Sequence, residues 1–264
     1  LSTPKVMGII NLTPDSFYDG GKLNSEKEIL LQANKMLQEG ATFLDLGAYS
    51  SRPGAQFVSE KEEINRLLPV IKILLNEFPK TLVSIDTFRS NVANESIAAG
   101  ASLINDISAG KLDNDMFKII AQHQVPYVMM HMRGTPELMM KNTDYTDLTK
   151  EVLYYFSERI AKARSFGIND LIADPGFGFS KTLDQNYELF NDLELFRNLN
   201  VPLLLGISRK SMIQKKIKTT AANSLNGTTA LHAIAIQKGA SILRVHDVKE
   251  AFETINLLQN LKFH

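Results

Sequence analysis

Three segments of the chain share one pattern, in which a glycine is followed by a short apolar run that ends in a polar residue. The segments are EGATFLDLG from residue 39, AGASLINDI from residue 99 and KGASILRVH from residue 238, and FGINDLIADPG from residue 166 is a looser copy. A glycine in this place is typical of the left-handed end of a helix, and the apolar run is typical of a buried strand. The pattern therefore predicts helices and strands that alternate along the chain.

The segment before the first of these glycines has the spacing of an amphipathic helix. One face of it carries five apolar residues: Ile29, Leu30, Ala33, Met36 and Leu37. Ser25 and Glu28 have the spacing of a capping box, in which each side chain binds the other's backbone N–H, so we expect the helix to begin at Ser25. Ser59 and Glu62 repeat this spacing before a second helix.

Four further apolar runs, VMGII, TLVSID, VPYVMMH and VPLLLGI, bring the number of predicted strands to eight. Dividing the 264 residues by eight gives 33 residues per unit, which is the size of a βα repeat. An open Rossmann-like sheet also alternates strands with helices, but eight nearly equal units favour a closed (β/α)8 TIM barrel. We therefore predict an α/β protein with a single domain over residues 1–264.

Each predicted strand becomes polar at its C-terminal end. The residues at these ends are Asn11, Asp45, Asp86, Asn105, Asp106, His131, Arg133, Asp174, the run from Ser208 to Lys210, Arg244 and His246. In a (β/α)8 barrel, the C-terminal strand ends meet on the face that carries the chemistry. Carboxylates and amides on the middle strands, with cations on the last two, indicate a ligand that has a hydrogen-bonding heterocycle and an anionic tail.

Arg244 and His246 are two residues apart, so they are predicted to share one face of the last strand. One interpretation is a solvated edge strand. The other is an anion site, in which Arg244 offers a bidentate contact to phosphate.

For four of the strand-end residues, a structural role is an alternative to a role in binding a ligand. Asp45 could brace the loop that follows its strand, and Asp106 could cap the next segment. For His131 and Arg133 we favour a role in organising a loop over contact with a substrate.

The composition narrows the classes of function. The chain has 29 Lys and Arg against 29 Asp and Glu, so its charge indicates no surface for nucleic acid or membrane. It has no cysteine, which excludes disulfides, cysteine metal sites and a cysteine nucleophile. No apolar run reaches the roughly 18 residues that span a bilayer, and no signal peptide is visible. We expect a cytoplasmic protein without nucleic-acid or membrane partners.

Two long segments resemble signature loops of the dihydropteroate synthase family: MGIINLTPDSFYDGG over residues 7–21 and LDLGAYSSRPGA over residues 44–55. The shorter blocks SIDT, INDIS, MHMRGTP, DPGFGFSKT, GISRKS and RVHDV resemble further blocks of that family, in the family's order. Each block alone is a weak indication, but the ordered set is specific and covers essentially the whole chain.

The resemblance implies a TIM barrel that joins p-aminobenzoate to 6-hydroxymethyl-7,8-dihydropterin diphosphate in folate biosynthesis. The products would be 7,8-dihydropteroate and pyrophosphate. The resemblance also implies a Mg2+-dependent homodimer and a target of sulfonamides. Because the nucleophile is a neutral aniline and the leaving group is a diphosphate, we expect a dissociative step through a pterin-methyl cation.

The resemblance also assigns roles to individual residues. The pterin site would consist of Asp86, Asn105, Asp174 and Lys210. The diphosphate would be held by Asn11, Arg52, Arg244 and His246, with Asn11 also a metal ligand. The p-aminobenzoate would contact Ser51, Arg52, Pro53, Phe179, Lys210 and Ser211, and a mobile first loop would bring Asp15, Phe17 and Asp19 over the site. The residues implied in catalysis are Lys210, Arg244, His246 and Asp86.

Two departures from the family's usual second loop bear on binding. The family's loop is close to G-G-E-S-T-R-P-G, and this chain has GAYSSRPG, with Tyr49 where Glu is common and Ser51 where Thr is common. Ser51 lacks a methyl group that is worth about 0.8 kcal/mol if it is buried. We therefore expect the affinity for p-aminobenzoate and sulfonamides to differ more than the reaction itself.

Two other functions remain open at this point. A methyltetrahydrofolate-binding methyltransferase would share a pterin-binding barrel, but it would not need the cations Arg244 and His246 for a diphosphate. A catalytically silent pterin-binding subunit would be expected to lose loop or anion-binding residues. Both signature loops are long and polar here, which favours the synthase.

Overall fold

The computed structural model describes residues 3–12, 22–49, 57–259 and 261, with only the backbone of residues 22–25. It contains eight parallel strands: β1 Lys5–Asn11, β2 Phe43–Gly47, β3 Leu82–Asp86, β4 Leu103–Asp106, β5 Tyr127–Met130, β6 Leu171–Asp174, β7 Leu204–Leu205 and β8 Ile242–Val245. Their order in the sheet is β6-β5-β4-β3-β2-β1-β8-β7. Every neighbouring pair is parallel, as the repeated βα pattern predicts.

The two ends of this sheet meet at β6 and β7. Ala173 forms an isolated parallel bridge with Leu203, and its N–H donates to the carbonyl of Pro202 at 2.9 Å. This bridge joins the sheet into a nearly closed barrel. The predicted (β/α)8 TIM barrel is therefore confirmed, and an open Rossmann-like sheet is excluded.

Nine α-helices of the described residues surround the strands. They are α1 Lys22–Gln38, α2 Glu60–Glu77, α3 Ser90–Ala98, α4 Met116–His123, α5 Leu148–Ser165, α6 Leu183–Asn191, α7 Ser211–Ile217, α8 Leu225–Gln237 and α9 Val248–Gln259. Short 3-10 segments cover Met139–Lys141 and Leu193–Leu199. In the described part of the chain, none of the helices combines the length and the apolar character that crossing a bilayer requires.

The strands bury side chains on both faces, because their period of two sends alternate residues inward and outward. A compact inner cluster is formed by Met7, Leu103, Val128, Ile172, Leu204 and Ile242. A much larger cluster lies between the strands and the helices, and it includes Leu44, Leu46 and Ile85. The barrel interior is therefore a packed core that holds the strand ends in fixed positions.

Of the two predicted helix starts, the structure confirms the one at Ser59 and contradicts the one at Ser25. Ser59 caps α2, since its side chain accepts the N–H of Glu62 at 3.2 Å, but the Glu62 carboxylate pairs with Arg66 instead of closing the box. The predicted start at Ser25 is wrong, because α1 already begins at Lys22. No glycine or proline occurs between residues 22 and 25, so nothing in that segment stops the helix from starting earlier.

Candidate functional site

Strand register brings predicted strand-end residues of β1 to β4 to one level. Asn11 pairs with Gly47, Gly47 with Asp86, and Asp86 with Asn105. Gly47 interrupts this row because it has no side chain. A Cβ there would lie 3.8 Å from Asp86 Oδ2 and 3.9 Å from Asn11 Oδ1. The missing side chain leaves a space that both oxygen-bearing groups border.

The guanidinium of Arg244 joins β8 to two of these strands. Its Nε donates to Asp45 Oδ2 at 2.6 Å, and its Nη2 donates to Asp86 Oδ2 at 2.7 Å. The fully buried Asp45 carboxylate also accepts hydrogen bonds from Ser84 Oγ and Asn105 Nδ2. Asp45 therefore braces groups inside the barrel, which replaces the alternative that it supports the following loop.

Burial and the charges of Arg244, Asp45 and Asp86 together set the protonation of this cluster. Burial lowers the pKa of Arg244, but Asp45 and Asp86 outweigh that effect and raise its pKa above the ordinary value. Burial raises the pKa of Asp86 to about 7, against the opposing effect of Arg244. Asp86 therefore exchanges its proton near neutral pH, whereas Arg244 stays charged.

Asp174 and Lys210 approach each other at the ends of β6 and β7. A Cβ at Gly206 would lie 4.0 Å from Asp174 Oδ2 and 3.9 Å from Lys210 Nζ, so both groups border one space. Lys210 Nζ donates to the carbonyl of Phe177 and lies 4.8 Å from the ring centroid of Phe179. Burial raises the pKa of Asp174 and lowers the pKa of Lys210 to about 8, and each group opposes the shift of the other.

β8 is not a solvated edge strand, because it pairs with both β1 and β7. The interpretation of Arg244 and His246 as residues of such an edge is therefore wrong. However, β8 ends at Val245, so His246 lies beyond the strand whose face it was predicted to share with Arg244. His246 Nδ1 lies 3.2 Å from Ser208 Oγ. The neighbouring cation Arg209 forms a bidentate pair with Asp247.

Asp106, His131 and Arg133 have structural roles. The buried carboxylate of Asp106 accepts two backbone N–H bonds, at 2.7 and 2.6 Å, from the turn after β4. His131 is 2% exposed, and its ring packs edge-on against Tyr155 with centroids 4.8 Å apart. Arg133 binds the carboxylate of Glu151 on α5. These contacts agree with the structural alternatives for all three residues.

Tyr49, where the chain departs from the resembled loop, belongs to an aromatic cluster. Its ring lies edge-on to Phe88 with centroids 5.2 Å apart, and the Arg89 guanidinium lies 5.3 Å from its centroid. Arg89 also donates to the carbonyl of Val58 at 2.8 Å. A single arginine therefore contacts residues on both sides of segment 50–56.

Six predicted site residues lie outside the described part of the chain: Asp15, Phe17, Asp19, Ser51, Arg52 and Pro53. Ser211 is exposed as the first residue of α7. Within the described ranges, no three His, Asp or Glu side chains are placed to hold one metal ion, and the exposed Asn11 offers one amide oxygen.

Sequence reasoning did not single out Lys181, a cation that is only 2% exposed. Its Nζ lies 3.0 Å from His131 Nδ1 and also binds two backbone carbonyls. The only indication in the sequence was its place in the DPGFGFSKT block. Its spacing does not distinguish it from exposed lysines.

A separate cavity of about 590 Å3 lies between the loop after β5 and α5. Its lining among the described residues includes Lys111, His131, Arg133, Lys150, Tyr154 and Tyr155. The residues that line it do not include the cluster around Arg244.

The comparisons with known proteins show which family the chain belongs to. The chain matches the family described as pterin binding enzyme over residues 7–246. It is 42% identical over 261 residues to the dihydropteroate synthase of Escherichia coli (strain K12), covering 98% of this chain and 92% of that protein. The Yersinia pestis dihydropteroate synthase, solved with a sulfonamide drug complex, is 41% identical with a TM-score of 0.91, covering 98% of this chain and 94% of that one. The Xanthomonas albilineans dihydropteroate synthase in complex with 7,8-dihydropteroate is 34% identical with a TM-score of 0.87, covering 98% and 95%.

We expect Gly176 to tolerate no side chain. Its φ is 71°, and a Cβ there would lie 2.1 Å from the backbone oxygen of His131. Gly167 is the matched control, because its φ is 86° and nothing lies within 4 Å of its Cβ position. Gly176→Ala should lower the free energy of unfolding by about 2 kcal/mol more than Gly167→Ala, as measured by urea denaturation. Equal losses would show that the backbone at Gly176 shifts without cost.

We also expect Asp86 to make stability depend on pH. Because burial raises its folded pKa to about 7, the folded state holds the proton more tightly than the unfolded chain does. Its contribution to stability is complete below the ordinary pKa of a carboxyl and is lost as the pH rises through about 7. Asp86→Asn mimics the protonated carboxyl, so its free energy of unfolding should fall less steeply than that of the wild type over this range. Urea denaturation at several pH values measures both slopes, and identical slopes would contradict the assignment.

Proposed function

The chain belongs to the pterin binding enzymes and, within them, to the dihydropteroate synthases of folate biosynthesis, and on that premise we propose how its residues carry out the reaction. It is a transferase that makes dihydropteroate. The observation that carries this conclusion is the similarity along 98% of the chain to synthases, one of them solved with 7,8-dihydropteroate. The relatives named above are dihydropteroate synthases, which favours this function over a methyltetrahydrofolate methyltransferase or a silent subunit.

We propose that the pterin ring binds among Asp86, Asn105, Asp174 and Lys210. A pterin edge carries amide and guanidine groups, so it offers donors and acceptors together. A buried carboxylate such as Asp174 can accept two N–H bonds from that edge, and the Asn105 amide can both donate and accept. The Asn105 amide is oriented by its bond to Asp45 at 3.2 Å, which supports this role.

We assign the diphosphate to Asn11, Arg244 and His246, together with Arg52. Two nitrogens of Arg244 already bind Asp45 and Asp86, so the guanidinium would serve the diphosphate and the pterin site together. His246 binds Ser208 and lies beyond the end of β8. It would add a second contact to the anion.

Mg2+ fits this site as an ion held mainly by the diphosphate. Mg2+ in proteins keeps several waters and is bound through one or two protein oxygens together with phosphate oxygens. Asn11 supplies one such oxygen at the end of β1, beside the space above Gly47. When bound, the ion would neutralise charge on the departing diphosphate.

The second substrate, p-aminobenzoate, is assigned to Phe179, Lys210 and Ser211, together with Ser51, Arg52 and Pro53. The Phe179 ring offers an aromatic face, and Lys210 lies 4.8 Å from its centroid. Because burial lowers the pKa of Lys210 only to about 8, this lysine remains largely charged at neutral pH. It would connect the two substrates, since it also approaches Asp174.

The reaction requires one bond to break and one to form. The C–O bond of the pterin methyl group breaks, and its electron pair leaves on pyrophosphate. The aniline nitrogen of p-aminobenzoate donates its lone pair to the resulting methyl cation, and the proton of the new anilinium passes to water. The carboxylates of Asp86 and Asp174 would stabilise the cation electrostatically, and Asp15, Phe17 and Asp19 would cover the site.

The assembly and location follow the resemblance. We propose a homodimer in the cytoplasm, with small-molecule substrates and a single domain over residues 1–264. The single barrel that accounts for the described residues supports the domain assignment.

The function is tested by pyrophosphate release with and without p-aminobenzoate. Release should depend on both substrates and should produce dihydropteroate in equal amount. Asp174→Ala should lose pterin affinity by at least about tenfold, because pterin N–H groups would lose their buried acceptor. Asp170→Ala is the matched control, since Asp170 is exposed at the other end of β6. Unchanged pterin affinity in Asp174→Ala by calorimetry would refute the pterin site.

Arg244→Ala and His246→Ala should differ in their ligand dependence. Arg244→Ala leaves the Asp45 and Asp86 carboxylates without their cation, so it should weaken both pterin and pterin methyl diphosphate and slow turnover roughly 10²–10³-fold. His246→Ala should weaken the diphosphate compound alone. Calorimetry with both ligands separates these outcomes. Arg209→Ala removes a neighbouring cation that pairs with Asp247 and serves as the control.

If Arg244→Ala affected only the diphosphate compound, the ion pairs to the two carboxylates would be irrelevant to pterin binding. This expectation revises the one from sequence alone, in which Arg244 was assigned to the diphosphate and to catalysis but not to the pterin ring.

A further inference from the structure

The loop over residues 175–182, which we call the β6 loop, turns sharply, and one backbone hydrogen bond, from the N–H of Phe179 to the carbonyl of Gly176 at 3.0 Å, closes part of it. Three of its residues have left-handed backbone conformations: Gly176, Gly178 and Ser180. The N–H of Gly176 donates to Asp174 Oδ1 at 2.8 Å, and the N–H of Gly178 donates to Asn186 Oδ1 at 2.6 Å. Side chains therefore supply further contacts that hold the β6 loop in its shape.

Lys181 provides the central contact in this loop. Its Nζ lies 3.1 Å from the carbonyl oxygen of Gly176, 3.0 Å from that of Phe179 and 3.0 Å from His131 Nδ1. An ammonium has three N–H donors and no acceptor, so these three partners use all of its donors. His131 must accept at Nδ1, which places the imidazole proton on Nε2.

A second lysine holds the same loop. Lys210 Nζ donates to the carbonyl of Phe177 and lies beside the Phe179 ring. The hydroxyl of Tyr145 donates to the carbonyl of Ser180 at 2.9 Å. The side chains of Lys210 and Tyr145 therefore fix the carbonyls of Phe177 and Ser180, which precede and follow Phe179 in the sequence. We expect the position of the Phe179 ring to depend on these donors.

We propose that Lys181 is a positioning residue for p-aminobenzoate, which fixes the carbonyls of Gly176 and Phe179 and so holds the Phe179 ring in place for the second substrate. Lys181 itself is buried behind the loop and acts through Phe179. The inference rests on the proposed p-aminobenzoate pocket and extends it to a residue that lies outside it.

The protonation of Lys181 supports this role. Burial lowers its pKa to about 7, Asp174 opposes that shift, and Lys210 and Arg133 add to it. The pKa of His131 is well below its ordinary value, chiefly through burial and the charge of Lys181, so His131 is neutral and remains an acceptor. A neutral amine has only two N–H donors, so it would keep all three contacts only if His131 changed tautomer and its Nδ1–H donated to the amine. Loss of the proton removes the donor that His131 accepts, so it should loosen the β6 loop.

The test compares Lys181→Met with the wild type in steady-state kinetics of the full chain. Methionine keeps most of the side-chain volume and removes every donor. We expect the KM for p-aminobenzoate to rise about tenfold, and the KM for the pterin diphosphate to change less than about twofold. In the wild type, the KM for p-aminobenzoate should rise as the pH increases through about 7, and this rise should be smaller in Lys181→Met.

Arg159→Met is the matched control. Arg159 is another buried cation that donates to a backbone carbonyl, that of Ala109, in a different loop. A loss of general stability would affect both variants alike. If Arg159→Met raised the KM for p-aminobenzoate as much as Lys181→Met, or if Lys181→Met changed both KM values equally, the proposal would be overturned.

Phe179→Ala separates failure of this inference from failure of the proposed pocket. If Phe179→Ala raises the KM for p-aminobenzoate and Lys181→Met does not, the pocket stands and Lys181 has no positioning role. If Phe179→Ala leaves that KM unchanged, the pocket assignment itself is wrong.

His131→Phe replaces Lys181→Met if the latter does not fold. It keeps an aromatic ring against Tyr155 and removes the Nδ1 acceptor of Lys181 together with the Nε2–H group. It should raise the KM for p-aminobenzoate selectively, by less than Lys181→Met would. Equal changes in the two KM values, or no change, would refute the proposal.

Discussion

The ion pairs of Arg244 with Asp45 and Asp86 are the interaction on which the candidate site depends. They join β8 to β2 and β3, and Asp45 passes the constraint to Asn105 on β4. A buried carboxylate without a cation is costly, so the two acidic groups need the guanidinium as much as it needs them. Burial raises the pKa of Asp86 to about 7, and the guanidinium of Arg244 opposes that rise. The same ion pairs therefore fix the geometry of the site and limit the shift in its protonation.

The fold could be predicted because its information is local and repeated. Glycine, apolar run and polar strand end recur along the chain, and that pattern is enough for alternating helices and parallel strands. The start of α1 could not be predicted, because the spacing of Ser25 and Glu28 is compatible with the interior of a helix as well as with its beginning. The β6–β7 seam was also not predictable, since β7 has only two residues and one isolated bridge completes the barrel there.

The site was predictable where it depends on strand register and not where it depends on side-chain partners. Asn11, Asp86 and Asn105 reach one level because parallel strands align their C-terminal ends. The partners of Arg244 could not be predicted, because sequence spacing gives no measure of distance across the barrel. Lys181 was missed for a related reason: its burial and its three acceptors arise only when the β6 loop folds back over it.

The separation in sequence of the central ion pairs has a consequence for synthesis of the chain. Arg244 follows Asp45 by 199 residues and Asp86 by 158 residues, and β1 pairs with β8 near the other end of the chain. During translation, both carboxylates leave the ribosome long before their cation, and closing so long a loop carries an entropic cost. The nascent chain must therefore keep Asp45 and Asp86 hydrated until the last strand emerges, and the substrate site forms only when the barrel is complete.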